Sequence, residues 1–121
     1  MKILSFEKLK VWQKARKLSV TIYKKTKTFP EDERFGLVSQ MRRCSISISS
    51  NIAEGTGRHS PKDKARFTEI AYSSSLELLN QAIISNDLEF LSDKDYQFIR
   101  EYLNEITAML DALYKSELKN V

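Results

Sequence analysis

Lys10, Lys14, Lys17 and Lys24 recur at spacings of 4, 3 and 7. On a helix these positions share roughly 100° of arc. Lys25 lies at the margin of that arc, and Thr21 and Thr28 share it. A row of ammonium groups at about 6 Å intervals can follow a phosphate backbone without reading bases. Arg42, Arg43 and Arg58 lie on or just after the next segment. Their planar guanidinium forks suit phosphate oxygens. These seven residues are the candidate nucleic-acid contacts. A basic amphipathic helix can also rest on an anionic membrane. Here the apolar side, with Ala15, is committed to a packing seam, so no membrane partner is expected.

Other reactive residue types are sparse. The chain holds one His, His59, and one Cys, Cys44. One of each cannot make a structural zinc site, and a lone Cys cannot form an internal disulfide. Di-iron bundles need Glu-x-x-His pairs from two helices, which a single His rules out. The phosphate-binding, zinc-protease and nucleophile-elbow motifs are missing. His59 reads as a polar loop residue and Cys44 as a small hydrophobe. Gln40, Ser47, Asn51 and Glu54 align on one segment, and Ser74, Glu77 and Gln81 on another. They read as interhelical hydrogen-bonding groups that set register. The expectation is a non-enzyme with no cofactor, no metal and no small-molecule substrate.

The net charge of +4 over 121 residues conceals an asymmetry. Residues 1–28 carry +8, residues 29–60 sum to zero, and residues 61–91 and 92–121 carry −2 each. The whole positive excess therefore sits in the first quarter, which points to an anionic partner. Lysines interrupt every apolar run there, so the segment does not read as a secretory signal. The longest uncharged stretch, Cys44 to Ala53, is ten residues, about half a membrane span. A cytoplasmic location is expected.

These residues need long elements to position them. Three Gly and two Pro leave few turns. Phe29-Pro30, Gly55-Thr56-Gly57, Ser60-Pro61-Lys62-Asp63 and Ser92-Asp93-Lys94-Asp95 divide the chain into four helical segments, about 6–28, 33–55, 61–90 and 93–118. Core stripes are read at Val11, Ala15, Leu18 and Ile22; at Leu37, Met41, Cys44 and Ile48; at Tyr72, Leu76, Leu79 and Ile83; and at Ile99, Leu103, Ile106, Leu110 and Leu113. The alternation Cys44-Ser45-Ile46-Ser47-Ile48-Ser49 imitates a strand, but it has no strand to pair with and a helical stripe runs through it. Stripes with 3-4 spacing and short connections predict an all-α, up-down-up-down four-helix bundle in one domain over 1–121.

Apolar surface exceeds what one such bundle needs. Leu9, Trp12, Val20 and Tyr23 lie off the first stripe, Ile46 off the second, and Phe67, Ile70 and Leu78 off the third. These eight are the expected subunit contacts of an oligomer.

Several runs carry a family resemblance: Phe6-x-x-Leu9-x-Val11-Trp12-x-x-Ala15, Thr26-x-x-Phe29-Pro30, Phe35-Gly36-Leu37-x-x-Gln40-x-Arg42-Arg43, and Ser47-Ile48-x-x-Asn51-Ile52-Ala53-Glu54-Gly55 with Arg58. Phe67-x-x-Ile70-Ala71 and Glu77-Leu78-x-x-Gln81 continue them. Together they resemble the bacterial 23S rRNA intervening-sequence protein family, also called the four helix bundle protein family, over almost the entire chain. Asn51-Ile52-Ala53-Glu54-Gly55, with the paired Arg, is the most specific part. Ser73 stands where that family typically has Gly, and Cys44 where it has Ala. The resemblance implies a left-handed four-helix bundle assembled as a ring-shaped homopentamer. Some members are encoded inside insertions in 23S rRNA genes. A relative, the accessory protein of diversity-generating retroelements, is a basic pentamer held to bind nucleic acid and the reverse transcriptase. Most members have no established biochemical function.

The expected function is that of a non-enzymatic oligomeric accessory protein binding RNA or DNA backbone through the basic face of helix one. The alternative is a protein-interaction scaffold that binds no nucleic acid. A further protein partner fits either reading.

Overall fold

The computed structural model describes residues 1–121. It is all-α, with four long helices and no strand: α1 Lys10–Thr26, α2 Ser39–Thr56, α3 Pro61–Asp87 and α4 Asp93–Leu118. The strand-like alternation at Cys44–Ser49 lies wholly inside α2. One core of 18 buried residues draws on all four helices and on the loop residues Phe29 and Leu91.

The helices begin and end for local reasons. A 3-10 turn over Ser5–Lys8 precedes α1, and Leu9 between them is extended, so α1 starts later than the sequence suggested. The turn is held by the Leu4 N–H donating to Glu7 Oε2 at 2.8 Å. Phe6 also packs edge-on against Trp12, with centroids 5.0 Å apart. Ser60 and Ser92 cap α3 and α4 by accepting the backbone N–H of Asp63 and Asp95, each at 3.1 Å. Pro61 occupies the first turn of α3, where its missing N–H costs nothing.

Two further boundaries differ from the expected ones. The second segment opens with a 3-10 turn at Glu31–Glu33 and a π-helical turn at Arg34–Val38. Within it Gly36 leaves helical geometry at φ −106°, ψ −114°. The third segment ends at Asp87, and Glu89 then takes a left-handed φ of 63°. The Glu89 N–H donates to the Asn86 carbonyl at 3.0 Å and the Phe90 N–H to the Ser85 carbonyl at 2.9 Å. That is the Schellman closure of a helix, built on a glutamate where glycine is usual.

In the dividing run Gly55-Thr56-Gly57 the helix does not end on a left-handed glycine. No glycine has positive φ. Gly55 is buried inside α2, where a Cβ would sit 3.0 Å from the Phe67 Cβ. It lets the end of α2 and the start of α3 approach closely.

The core faces of α1 and α4 carry large residues: Leu18, Ile22, Ile99, Leu103, Ile106 and Leu110 are fully buried. The face of α3 is built differently. Its buried residues include Ala65, Ala71, Ser74, Ser75, Ala82 and Ser85, with Leu78 the one large aliphatic among them. Leu76 and Ile83, read above as core, are 50% and 37% exposed. Leu78, read above as a subunit contact, is 0% exposed and belongs to the chain's own core. Small side chains face inward because α2 lies close: Ser47 and Ser74 hydroxyls bond at 2.9 Å, and the Ser85 hydroxyl donates to Met41 Sδ at 3.5 Å. A large residue on that face would force the helices apart.

Neighbouring helices meet early residue to late residue. Arg42, early in α2, donates to Thr26 Oγ1 at the end of α1 at 3.0 Å, Ser19 donates to the Ser45 carbonyl at 2.9 Å between their middles, and Thr68, early in α3, donates to Glu117 Oε1 near the end of α4 at 2.7 Å. The Lys14 ammonium reaches Glu105 at 2.6 Å, which ties α1 to α4. Gln81 donates to Gln40 across α2 and α3 and to Glu77 within α3, each at 3.4 Å, so of the aligned polar residues the pairs Gln40–Gln81 and Ser47–Ser74 bridge the two helices.

Candidate nucleic-acid interface

The basic residues of α1 divide by what stands beside them. Lys14 and Lys25 face α4 and pair with its carboxylates, Glu105 at 2.6 Å and Asp95 at 3.1 Å. The hydrogen bond Lys14 donates to Glu105 raises the Lys14 pKa against the lowering effect of desolvation. The Lys14 and Lys17 ammonium groups also stand 5.3 and 5.8 Å from the Tyr102 ring centre. Lys10, Lys17 and Lys24 are exposed and form no ion pair. They are the part of the stripe free to meet an anion.

Arg42 and Arg43 are adjacent in sequence and opposite in role. Arg42 folds back onto the last turns of α1. Its Nε donates to Thr26 Oγ1 at 3.0 Å and its Nη2 to the Tyr23 carbonyl at 3.2 Å, with the guanidinium 4.7 Å from the Tyr23 ring centre. A cation at a helix C-terminus is also favoured by the helix dipole. Arg42 therefore joins two helices and has little of its fork left for phosphate. Arg43 is exposed, with no hydrogen bond or ion pair.

Arg58 lies past the other end of α2, with its guanidinium 4.5 Å from the Phe67 ring centre. Fifteen residues separate it from Arg43, or about 20 Å along a helix axis. The seven candidates thus form no single patch. The lysines follow α1, Arg42 and Arg43 sit near its C-terminal end, and Arg58 stands apart.

Sequence reasoning passed over two residues here. Arg34 and Phe35 join Tyr23, Val38, Ser39, Arg42 and Arg43 around a surface notch of about 390 Å³. The Phe35 ring is 87% exposed, with the Arg34 guanidinium 5.4 Å from its centre. No carboxylate lines this notch. A second depression, between α3 and α4, is lined by Glu69, Tyr72, Leu110, Asp111 and Tyr114, and its two acids disfavour an anion. The available clue was local: an Arg-Phe pair directly before Gly36, at a break in helical periodicity.

No three His, Cys, Asp or Glu side chains are grouped to hold a metal ion. No helix is long and apolar enough to cross a membrane.

Four helices around one core, with an exposed basic side on the first, define an all-α helical-bundle protein. The chain belongs to the family described as 23S rRNA-intervening sequence protein, which it matches over residues 7–112. It is also similar in fold to a crystal structure at 1.70 Å of a protein from the S23 ribosomal protein family of Bacteroides thetaiotaomicron, described as having unknown function. The TM-score is 0.81 at 24% identity, covering 87% of this chain and 98% of that one. No curated protein matches significantly.

Proposed function

We propose that this chain is a cytoplasmic, non-enzymatic accessory protein that binds the phosphate backbone of RNA or DNA along α1. The observation that carries the reading is the exposed, unpaired set Lys10, Lys17 and Lys24 on the helix that holds six of the nine bases of residues 1–28 and none of their acids. The protein works as an up-down-up-down, left-handed bundle assembled into a ring-shaped homopentamer. Early-to-late pairing of neighbouring helices supports that order. Self-association is supported by the outward aliphatic residues Ile70, Leu76, Ile83 and Ile84 of α3 and Leu88 just past its end, together with exposed Val20, Tyr23 and Ile46. Repetition of one weak basic site around a ring raises its avidity without any new contact. The same aliphatic residues favour a second reading, a protein-interaction scaffold whose lysines serve only solubility.

Salt-dependent binding separates the two. Each phosphate contact contributes about −0.7 to −0.9 to the slope of log K against log salt. The triple variant Lys10→Glu, Lys17→Glu, Lys24→Glu should flatten the slope by roughly 2 to 3 per protomer while light scattering shows an unchanged mass. Wild-type protein that binds neither RNA nor DNA at low salt leaves the scaffold reading. A monomer mass refutes the ring.

A further inference from the structure

We propose that the notch beside Phe35 takes one unpaired nucleotide of a single strand, its base stacked on the Phe35 ring and its phosphate held by Arg34 and Arg43. The inference rests on the nucleic-acid reading above and adds to it a second, distinct subsite.

The argument begins with the turn that displays the ring. Glu33 accepts the Leu37 N–H through Oε1 at 3.3 Å, and a Cβ on residue 36 would lie 2.9 Å from that oxygen. A side chain at residue 36 would therefore push the Glu33 carboxylate off the Leu37 N–H, and Gly36 leaves that bond in place in a turn that keeps Phe35 87% exposed. A π-helical turn that projects an aromatic ring into water gains nothing for the core.

The surroundings choose the occupant. The Arg34 guanidinium lies 5.4 Å from the ring centre, and the ring remains open for a second planar group to stack on it. Arg43 is unpaired and exposed on the same notch. The acids Glu31, Asp32 and Glu33 occupy the preceding turn, where Glu33 is engaged with the backbone. Glu31 lines the adjoining depression on the Pro30 side, so an anion is steered toward Tyr23 and Arg43. Positive charge beside an exposed aromatic ring matches the recognition of single strands, in which bases stack on side chains and cations track the backbone. A duplex does not offer a free base face, so the subsite discriminates against it. A volume of about 390 Å³ is within the range of small-ligand sites.

The test is fluorescence anisotropy of the full-length protein with a labelled single-stranded oligo(U) and with a duplex of equal length, both at low salt. Phe35→Ala should weaken the single strand roughly tenfold and leave the duplex unchanged. Phe35→Trp should retain affinity, and Arg43→Gln should weaken the single strand. Light scattering of each variant is run alongside. A Phe35→Ala variant that keeps full single-strand affinity overturns this subsite while leaving the α1 reading intact. A variant that lowers the mass and weakens both ligands alike also overturns it, because Phe35 is then a contact between copies. Wild-type protein that binds neither ligand overturns both readings.

Discussion

Arg42 and Tyr23 form a clamp in which one guanidinium both donates to the Tyr23 carbonyl at 3.2 Å and stands 4.7 Å from its ring centre. Its Nε donates to Thr26 Oγ1, and that hydroxyl donates onward to the Ile22 carbonyl at 2.7 Å. The relay fastens the last turns of α1 to α2. Arg42→Met preserves the aliphatic stem and removes both hydrogen bonds, so it should cost about 1–3 kcal/mol in urea denaturation. Lysine lacks the fork and should not restore the loss. Arg43→Met, in the adjacent and exposed position, should stay within about 0.5 kcal/mol. Equal effects at the two arginines would remove the distinction between them.

Glu89 closes α3 in a left-handed conformation, with φ 63°. An L-residue carries about 1–2 kcal/mol of strain there that glycine avoids. Glycine's greater freedom in the unfolded chain offsets part of that gain. Glu89→Gly should therefore stabilise by up to about 1 kcal/mol and raise the melting temperature by about 2–5 °C. Glu89→Val, β-branched, should lower it. A glycine variant that melts below wild type would show that the glutamate side chain contributes more than its backbone costs.

Burial pushes the Cys44 thiol up from 9.0 to about 11, with Glu77 beside it adding to the shift. The unfolded thiol loses its proton near the lower value and the folded one only near the higher. Between them the native state holds more protons, so stability falls as pH rises from about 9 to about 11. This contribution is about 2 kcal/mol at the upper end. The measurement is the difference between wild type and Cys44→Ala across that window, in which ionisations common to both cancel. The difference should be flat below pH 9. Alkylation of native protein at neutral pH should be slow.

Much of the bundle is legible in the sequence, because α1 and α4 bury large aliphatic residues at 3-4 spacing. Val11, Leu18, Ile22, Ile99, Leu103, Ile106 and Leu110 show a hydrophobic stripe and are buried along it. The same rule misplaces α3. There the stripe of large residues, Leu76 and Ile83, faces water, while Ala71, Ser75, Ala82 and Ser85 are buried, and Ser74 and Ser85 bond to α2. Hydrophobicity ranks leucine above serine, but close approach of two helices favours the smaller side chain, and nothing along the chain states the distance. The basic site divides in the same way. The row of lysines is visible as a period. The split between Arg42 and Arg43 depends on about 100° of helical rotation relative to the end of α1, and so on the packing. Phe35 escaped notice because its exposure follows from a turn geometry that only Glu33 and Gly36 together reveal.

The inward face of α3 gives the two halves of the bundle opposite tolerances to random substitution. Where α1 and α4 bury leucine and isoleucine, truncation opens a cavity and enlargement is rarely available, so damage comes from lost volume. Where α3 presents alanine and serine to α2, nearly every codon change adds volume, and damage comes from overpacking. A saturation scan of this chain should therefore show two fingerprints within one fold. One half drifts toward failure by shrinking, and the other by growing.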